Sequence, residues 1–256
     1  MNVWLAIGLS TALAGFALWK HALTMAGTTL AWAFCVTICC FGGAPAFLIL
    51  AVAFLCTVAA DKFAGKRADP LDVRRKTGKR DAARVFCNVG IAAAMILIFG
   101  LTCKAKFLLV YAAVMAESLS DSLASKLGPL GKGRTVDIYT LRETSVGLSG
   151  GVSRAGSAAA LAGAGLIGAL CLLFDDAGAK QSLLVAAAGF LGCLLDSVLG
   201  SLAQVKYRCP VCGMVTEREQ HCGINTVRYR GCASINNDII NLLSNCFSSL
   251  LAVLIL

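Results

Sequence analysis

Residues Phe107–Ser125 read FLLVYAAVMAESLSDSLAS. The first ten residues of this stretch are apolar, and then Glu117, Ser118, Ser120, Asp121, Ser122 and Ser125 follow within little more than about two helical turns. A helix on the surface of a soluble domain would carry a polar face along its whole length. This one carries none for its first half, and its length suits a membrane crossing, which needs about 20 residues. Carboxylates inside such a crossing are costly, so their default reading is functional. Helical spacing stacks Ser118, Asp121 and Ser125 along one face that ends near Gly128.

The rest of the chain agrees with a membrane setting. Of its 256 residues, 58% are hydrophobic and 14% charged, with a mean hydropathy of +0.77. Roughly a quarter charged is usual for a globular domain, so a soluble protein is excluded. Eight apolar runs can be read: Val3–Trp19, Ala22–Phe41, Ala46–Ala60, Val85–Cys103, Phe107–Ser125, Ala155–Phe174, Ser182–Gln204 and Asn237–Leu256. The expected fold class is therefore an all-α polytopic integral membrane protein of about eight transmembrane helices, with residues 1–256 forming a single transmembrane domain. Because the third run is short and only Lys20-His21 joins the first two, six or seven spans also fit. No Lys or Arg precedes the first run, which argues against a cleaved signal peptide. Gly156, Ala160, Ala164 and Gly168 form a small-residue ladder suited to close helix packing.

Charge sets the orientation. The net charge is +9, from 23 Lys and Arg against 14 Asp and Glu. With the 61–84 loop in the cytoplasm, 20 of the 23 basic residues fall on that side, and only Lys104, Lys106 and Lys180 face away. The positive-inside rule explains this asymmetry without nucleic acid as a partner. The basic run Lys76–Arg80 reads as a lipid-headgroup patch, and Asp175-Asp176 fall outside. A short chain with little beyond its spans suits a bacterial plasma membrane.

Polar residues gather toward the cytoplasmic side. Asp196 lies between Gly192 and Gly200 at successive i+4 positions, about 12 Å in from Gln204 at about 1.5 Å per residue. The last span opens Asn236-Asn237-Asp238 and continues with Asn241 and Asn245. The fourth is preceded by Arg80-Asp81 and carries Asn88. The run Gly147-Leu-Ser149-Gly150-Gly151-Val-Ser153 precedes the sixth span, flanked by Arg142 and Arg154. Glycines at a helix entrance let backbone amides face an anion. Carboxylates, amides, arginines and such an entrance at one depth are the parts of a phosphate and divalent-metal site. Individually, an aspartate also serves as an interhelical clamp, the asparagines as interhelical glue, and the glycine run as a plain turn.

The loop 205–232, placed in the cytoplasm between the last two spans, carries Cys209-Pro-Val-Cys212-Gly, then His221-Cys222-Gly and Cys232. Cys-x-x-Cys-Gly is a zinc-knuckle spacing, since two thiolates two residues apart chelate one ion. The second pair comes from His221, Cys222 or Cys232. Adjacent residues rarely both ligate, which favours Cys232 as the fourth ligand. A closed four-ligand site is structural, and the expectation is a short zinc-stiffened hairpin, with a redox pair or incidental cysteines as the other readings.

These blocks resemble the integral membrane family that contains transmembrane protein 19 and the plant phytyl-phosphate kinase, also known as domain of unknown function family 92. The likeness runs from about Leu23 to the C-terminus. It is carried by Gly78-Lys-Arg80-Asp81 with Val85, Asn88 and Gly90, by Ser120-Asp121-Ser122-Leu-Ala-Ser125-Lys-Leu-Gly128, and by Val146–Ser153. Gly189–Gly200 and Asn236–Asn241 complete it. The family usually has an acid where this chain has Lys126. The resemblance implies a lipid kinase that moves phosphate from a nucleoside triphosphate to an isoprenyl, phytyl-like monophosphate. Asp121, Asp196 and Asp238 would then hold Mg²⁺, with Asn237 and Asn241 assisting, and Asn88 would contact the substrate phosphate. Ser149, Gly150 and Gly151 would cradle phosphate, and Arg80 or Arg142 would neutralise developing charge. The alternatives are a transporter or flippase of an anionic lipid or small anion, and a catalytically inactive member of the family.

Overall fold

The computed structural model describes residues 2–65, 79–175 and 177–256. Residues 76–78 of the basic run, with Gly78 of the first family block, and Asp176 lie outside the described residues. The helices are α1 (Val3–Trp19), α2 (Met25–Gly65), α3 (Ala82–Thr102), α4 (Lys106–Leu127), α5 (Arg154–Leu170), α6 (Ala179–Leu202) and α7 (Asn237–Ile255). Among the described residues, six helices are long and apolar enough to cross a membrane, and α1 is a shorter apolar helix beside them.

The long α2 accounts for two of the eight expected runs. It breaks at Gly43, whose φ of 72° and ψ of −165° are not helical, and Pro45 follows. Only glycine adopts that backbone without strain, and proline supplies no amide to continue the hydrogen-bond ladder. A straight helix of this length would span about 60 Å. Both of its ends instead meet Arg80: the Thr24 amide donates to the Arg80 carbonyl at 2.9 Å, and the Arg80 guanidinium donates to Asp61 at 2.6 Å. The two halves therefore fold back on each other as a hairpin. Among the described residues the expected eight runs thus correspond to six span-length helices, one of them folded in two, and the shorter α1.

At the centre, α4 is buried without interruption from Leu109 to Ser120. Its Ala112, Ala113 and Ala116 keep it slim, and neighbouring helices approach its backbone directly. At Gly189 of α6 a Cβ would lie 2.5 Å from the Ala116 Cβ and 2.8 Å from the Glu117 nitrogen. Without a hydrophobic drive between helices in lipid, such close approach is what holds them together.

Three helices begin at the same end of the bundle, each with a polar cap. Asp81 accepts from the Arg84 amide at 3.0 Å before α3. Ser153 accepts from the Gly156 amide at 3.1 Å before α5. Asn236 accepts from the Ile239 amide at 3.1 Å before α7. Each satisfies an amide that the first helical turn leaves without a partner.

The loops at this end contain short strands. β1 (Val136–Asp137) pairs antiparallel with β2 (Gly151–Val152). The loop between α6 and α7 is more than the hairpin expected from its sequence. It has a three-stranded sheet in the order β4-β3-β7, from β4 (Val215–Thr216), β3 (Lys206–Arg208) and β7 (Val227–Arg230), plus a hairpin of β5 (Gln220–His221) and β6 (Ile224–Asn225).

Asp137 ties the first of these loops to α6. It accepts from the Thr140 amide at 2.8 Å, the Tyr139 amide at 3.1 Å, and the Ser201 hydroxyl at 2.8 Å. Burial works against its ionisation, but the Thr140 and Ser201 hydrogen bonds outweigh it and hold the carboxyl below its usual range. Replacing it, Asp137→Ala, is expected to cost about 1–3 kcal/mol at neutral pH. Because the folded pKa is depressed, the wild-type advantage is present above the unfolded value of about 3.9 and fades as pH falls through the folded one. Thermal melts of both proteins across acidic pH check the size and the sign.

Candidate functional site

A cavity of about 1610 Å³ occupies the capped end of the bundle. It is larger than the roughly 300–1,000 Å³ of a typical small-molecule pocket. Asp121, Asp196, Asp238, Arg80, Asn88, Asn237, Asn241, Ser149, Gly150 and Gly151 all line it, although they come from five separate stretches of chain. Away from these groups the lining becomes apolar, through Leu13 and Ala17 of α1, Ala31 and Trp32 of the first half of α2, and Leu50 and Phe54 of the second. The cavity therefore has a polar head and an apolar continuation between helices. Arg142, expected at the site, is not on this lining. Its side chain is exposed, and its carbonyl accepts the Asp137 amide at 2.9 Å within the β1 turn.

The three aspartates differ in their surroundings. Asp121 is half-buried on the cavity lining and makes no hydrogen bond or salt bridge among the described residues, while Lys126 on the same lining acts on its charge through space. Asp196 is buried, and its Oδ2 lies 3.2 Å from the Ser244 hydroxyl. That hydroxyl is also 2.6 Å from Oε1 of the fully buried Glu117, so its one proton serves one carboxylate at a time. The Asn241 amide orientation that satisfies its surroundings donates to Asp196 Oδ2 at 3.1 Å. Asp238 is held by Arg84, whose Nε donates to it at 3.1 Å.

The basic groups are organised by a residue the sequence did not single out. Asp61, in the last turn of α2, accepts from Arg80 Nη2 at 2.6 Å and from Lys126 Nζ at 2.8 Å. Lys126 is thus an integrated part of the cavity wall. Arg84 is a second unexpected cation on the lining. An acid at the end of an apolar run was the only available signal for Asp61. Its partners are 19 residues away for Arg80 and farther still for Lys126, beyond any local pattern.

The glycine run differs from the expected phosphate cradle. Gly147 and Gly150 have φ of 84° and 85°, which makes the segment a tight turn. The Ser149 amide donates to Glu217 Oε1 at 2.7 Å, and the Gly151 amide donates to the Leu148 carbonyl at 2.9 Å. Lys206 Nζ donates to the Ser149 carbonyl at 2.8 Å. Burial pulls the Lys206 ammonium below its usual pKa, while Asp137 and Glu217 partly offset it. Two loop side chains thus grip one peptide on the cavity wall.

The loop also carries a compact donor cluster. The ligand atoms of Cys209, Cys212, His221 and Cys222 all lie within 4.8 Å of one another, an arrangement that can hold a metal ion. Cys232 is outside this group and instead pairs its amide with the Ala203 carbonyl at 3.0 Å. The adjacent pair comes together because Cys222 has a φ of 53°, a left-handed turn that brings its sulfur back beside the His221 ring, 3.2 Å from Nδ1. The Cys212 amide, with the His221 side chain and the Val211 amide, draws the Cys209 thiol down to about 6 against its desolvation. The Cys222 thiol is pushed up to about 11 by its hydrogen bond with Cys212 and by Cys209 beside it.

The fold and the cavity define a polytopic membrane protein with a charged chamber at one end of its helices. The chain belongs to the family described as integral membrane protein DUF92, whose profile matches residues 8–249. It is similar to Protein PGR of Arabidopsis thaliana, with 28% identity over 232 residues that cover 79% of this chain and 78% of that one. No solved structure matches.

Proposed function

We propose that this protein is a membrane lipid kinase that transfers the terminal phosphoryl group of a nucleoside triphosphate to an isoprenyl, phytyl-like monophosphate. The observation that carries the reading is the meeting of Asp121 and Asp196 on the wall of one chamber that also presents Arg80, Arg84 and Lys126. The apolar continuation between α1 and α2 suits a lipid tail. In this reading the basic end faces the cytoplasm, where nucleotides are found.

Asp121 and Asp196 fit Mg²⁺. They are hard oxygen donors, and Mg²⁺ is usually held by one or two carboxylates plus substrate phosphate oxygens. When bound, the ion screens the charge on the phosphates. Asn241 and Ser244 fix the direction of Asp196. Arg80, Arg84 and Lys126 stabilise charge on the transferring group, with Asp61 and Asp238 holding them in place. Ser149 offers its hydroxyl from the turn whose shape Gly150 and Gly151 maintain. An oxygen of the acceptor monophosphate attacks the terminal phosphorus, and the bond from that phosphorus to the leaving nucleoside diphosphate breaks. The acceptor is already ionised, so no general base is required. Catalysis is positioning and electrostatics.

Transport of an anionic lipid is the second reading. The Glu117–Ser244–Asp196 chain favours it, because it carries ionisable groups away from the cavity into the buried core. Purified protein in liposomes separates the two. A kinase yields prenyl diphosphate and nucleoside diphosphate in equal amounts, and the yield vanishes with EDTA. A transporter moves labelled lipid phosphate across the bilayer without making either product.

A further inference from the structure

We infer that Cys209, Cys212, His221 and Cys222 form a structural zinc site, and that this site clamps the β3–β4 hairpin whose other end grips the cavity wall at Ser149. The donor set is three sulfurs and one imidazole, a soft combination that selects zinc over the hard cations. Zn–S and Zn–N lengths of about 2.3 and 2.0–2.1 Å put the edges of a tetrahedron at about 3.5–3.8 Å. The His221 Nδ1 lies 3.4 Å from the Cys212 sulfur and 3.2 Å from the Cys222 sulfur, so the four donors need little movement to close on an ion. Both knuckles have the backbone this requires. Gly213 has a φ of 72°, and Cys222 and Gly223 have φ of 53° and 77°. The Cys209 amide donates to the Met214 carbonyl and the Gly213 amide to the Cys209 carbonyl, which closes the first turn.

The cluster's position gives it a task. Cys209 directly follows β3 and Cys212 lies three residues before β4, so the ion sits in the turn that joins these paired strands. Lys206 begins β3 and Glu217 follows β4. These are the two side chains that hold the Ser149 carbonyl and amide. One ion in the turn therefore fixes both arms of the grip, at a remove of about 10 Å, three residues of strand. All four donors are used, which leaves no position for substrate, and the site has no part in the proposed transfer chemistry.

The test uses the full-length protein in detergent under reducing conditions. About one zinc per chain is expected by elemental analysis, and Co²⁺ exchange should give the intense visible bands of a tetrahedral thiolate site. Cys212→Ser and Cys222→Ser should each lower zinc content at least about tenfold, while Cys232→Ser retains it. Hydrogen exchange of residues 147–153 should rise when a chelator strips the metal from the wild type. Metal-free protein with all thiols reduced, or zinc loss in Cys232→Ser as great as in Cys212→Ser, would overturn the site. Retained zinc with unchanged exchange at 147–153 after its removal would overturn the clamp. None of these readouts depends on kinase activity.

Discussion

Asp121→Asn should cut phosphoryl transfer by about 10²–10³-fold while leaving the protein as stable as the wild type or more so. The loss follows from the removal of a charge that serves only the ligand, at a scale typical of one preorganised electrostatic contact in a closed site. The stability side follows from the surroundings of Asp121. It is partly buried on the cavity wall and makes no hydrogen bond or salt bridge among the described residues, and Lys126 acts on it only through space. Withdrawing this carboxylate from water costs more than the through-space attraction of Lys126 returns, so an amide of the same volume relieves the fold. An aspartate acting as an interhelical clamp predicts the reverse, because its removal would leave a partner unsatisfied and lower the melting temperature. Activity and thermal melts on one preparation therefore separate a ligand-binding carboxylate from a structural one. Asp196→Asn should lose activity to a similar extent but also change stability, since Ser244 and Asn241 both donate to that carboxylate.

The second large effect is expected from Gly150→Ala. Gly150 has a φ of 85°, and a Cβ there would lie 2.5 Å from the Ser201 Cβ and 2.6 Å from its Cα. The added methyl meets both a disfavoured backbone region and a helix backbone that cannot yield. Together these cost about 2–5 kcal/mol. The relief is to push the turn away from α6, which also pulls Ser149 from Glu217 and Lys206. Chemical denaturation should show the destabilisation, and hydrogen exchange should place it at residues 147–153. Gly133→Ala is the control, since nothing lies within 4 Å of a Cβ at that position. It should be close to neutral.

The helices were legible in the sequence for a simple reason: a membrane crossing has to be apolar for about 20 residues, and local composition carries that signal. Even the reversal in α2 was visible as the gap between Phe41 and Ala46, where Gly43 and Pro45 stand. The small strands were not legible. β3 to β7 are two to four residues long, too short for an alternating pattern to show. Their pairings are set by where α6 and α7 deliver the loop.

The candidate site divides in the same way. Asp121, Asp196 and the Asn236–Asn241 segment stood out because polar groups inside apolar runs are rare, and the structure brings them to one cavity. Which partner each group finds is a tertiary matter. Arg84 and Asp238 are 154 positions apart, and neither the pair nor the bridging role of Asp61 leaves a local trace. Likewise, spacing rules favoured Cys232 over Cys222. The left-handed turn at Cys222 is a conformational fact that spacing does not contain.

The most direct test of the central claim is a phosphorylation assay on purified, detergent-solubilised protein. Phytyl, geranylgeranyl and farnesyl monophosphates are each offered with Mg²⁺ and each of the four nucleoside triphosphates. The expected result is a prenyl diphosphate from at least one pair, abolished by EDTA and by Asp121→Asn. A folded protein that yields no diphosphate from any pair would contradict the kinase reading.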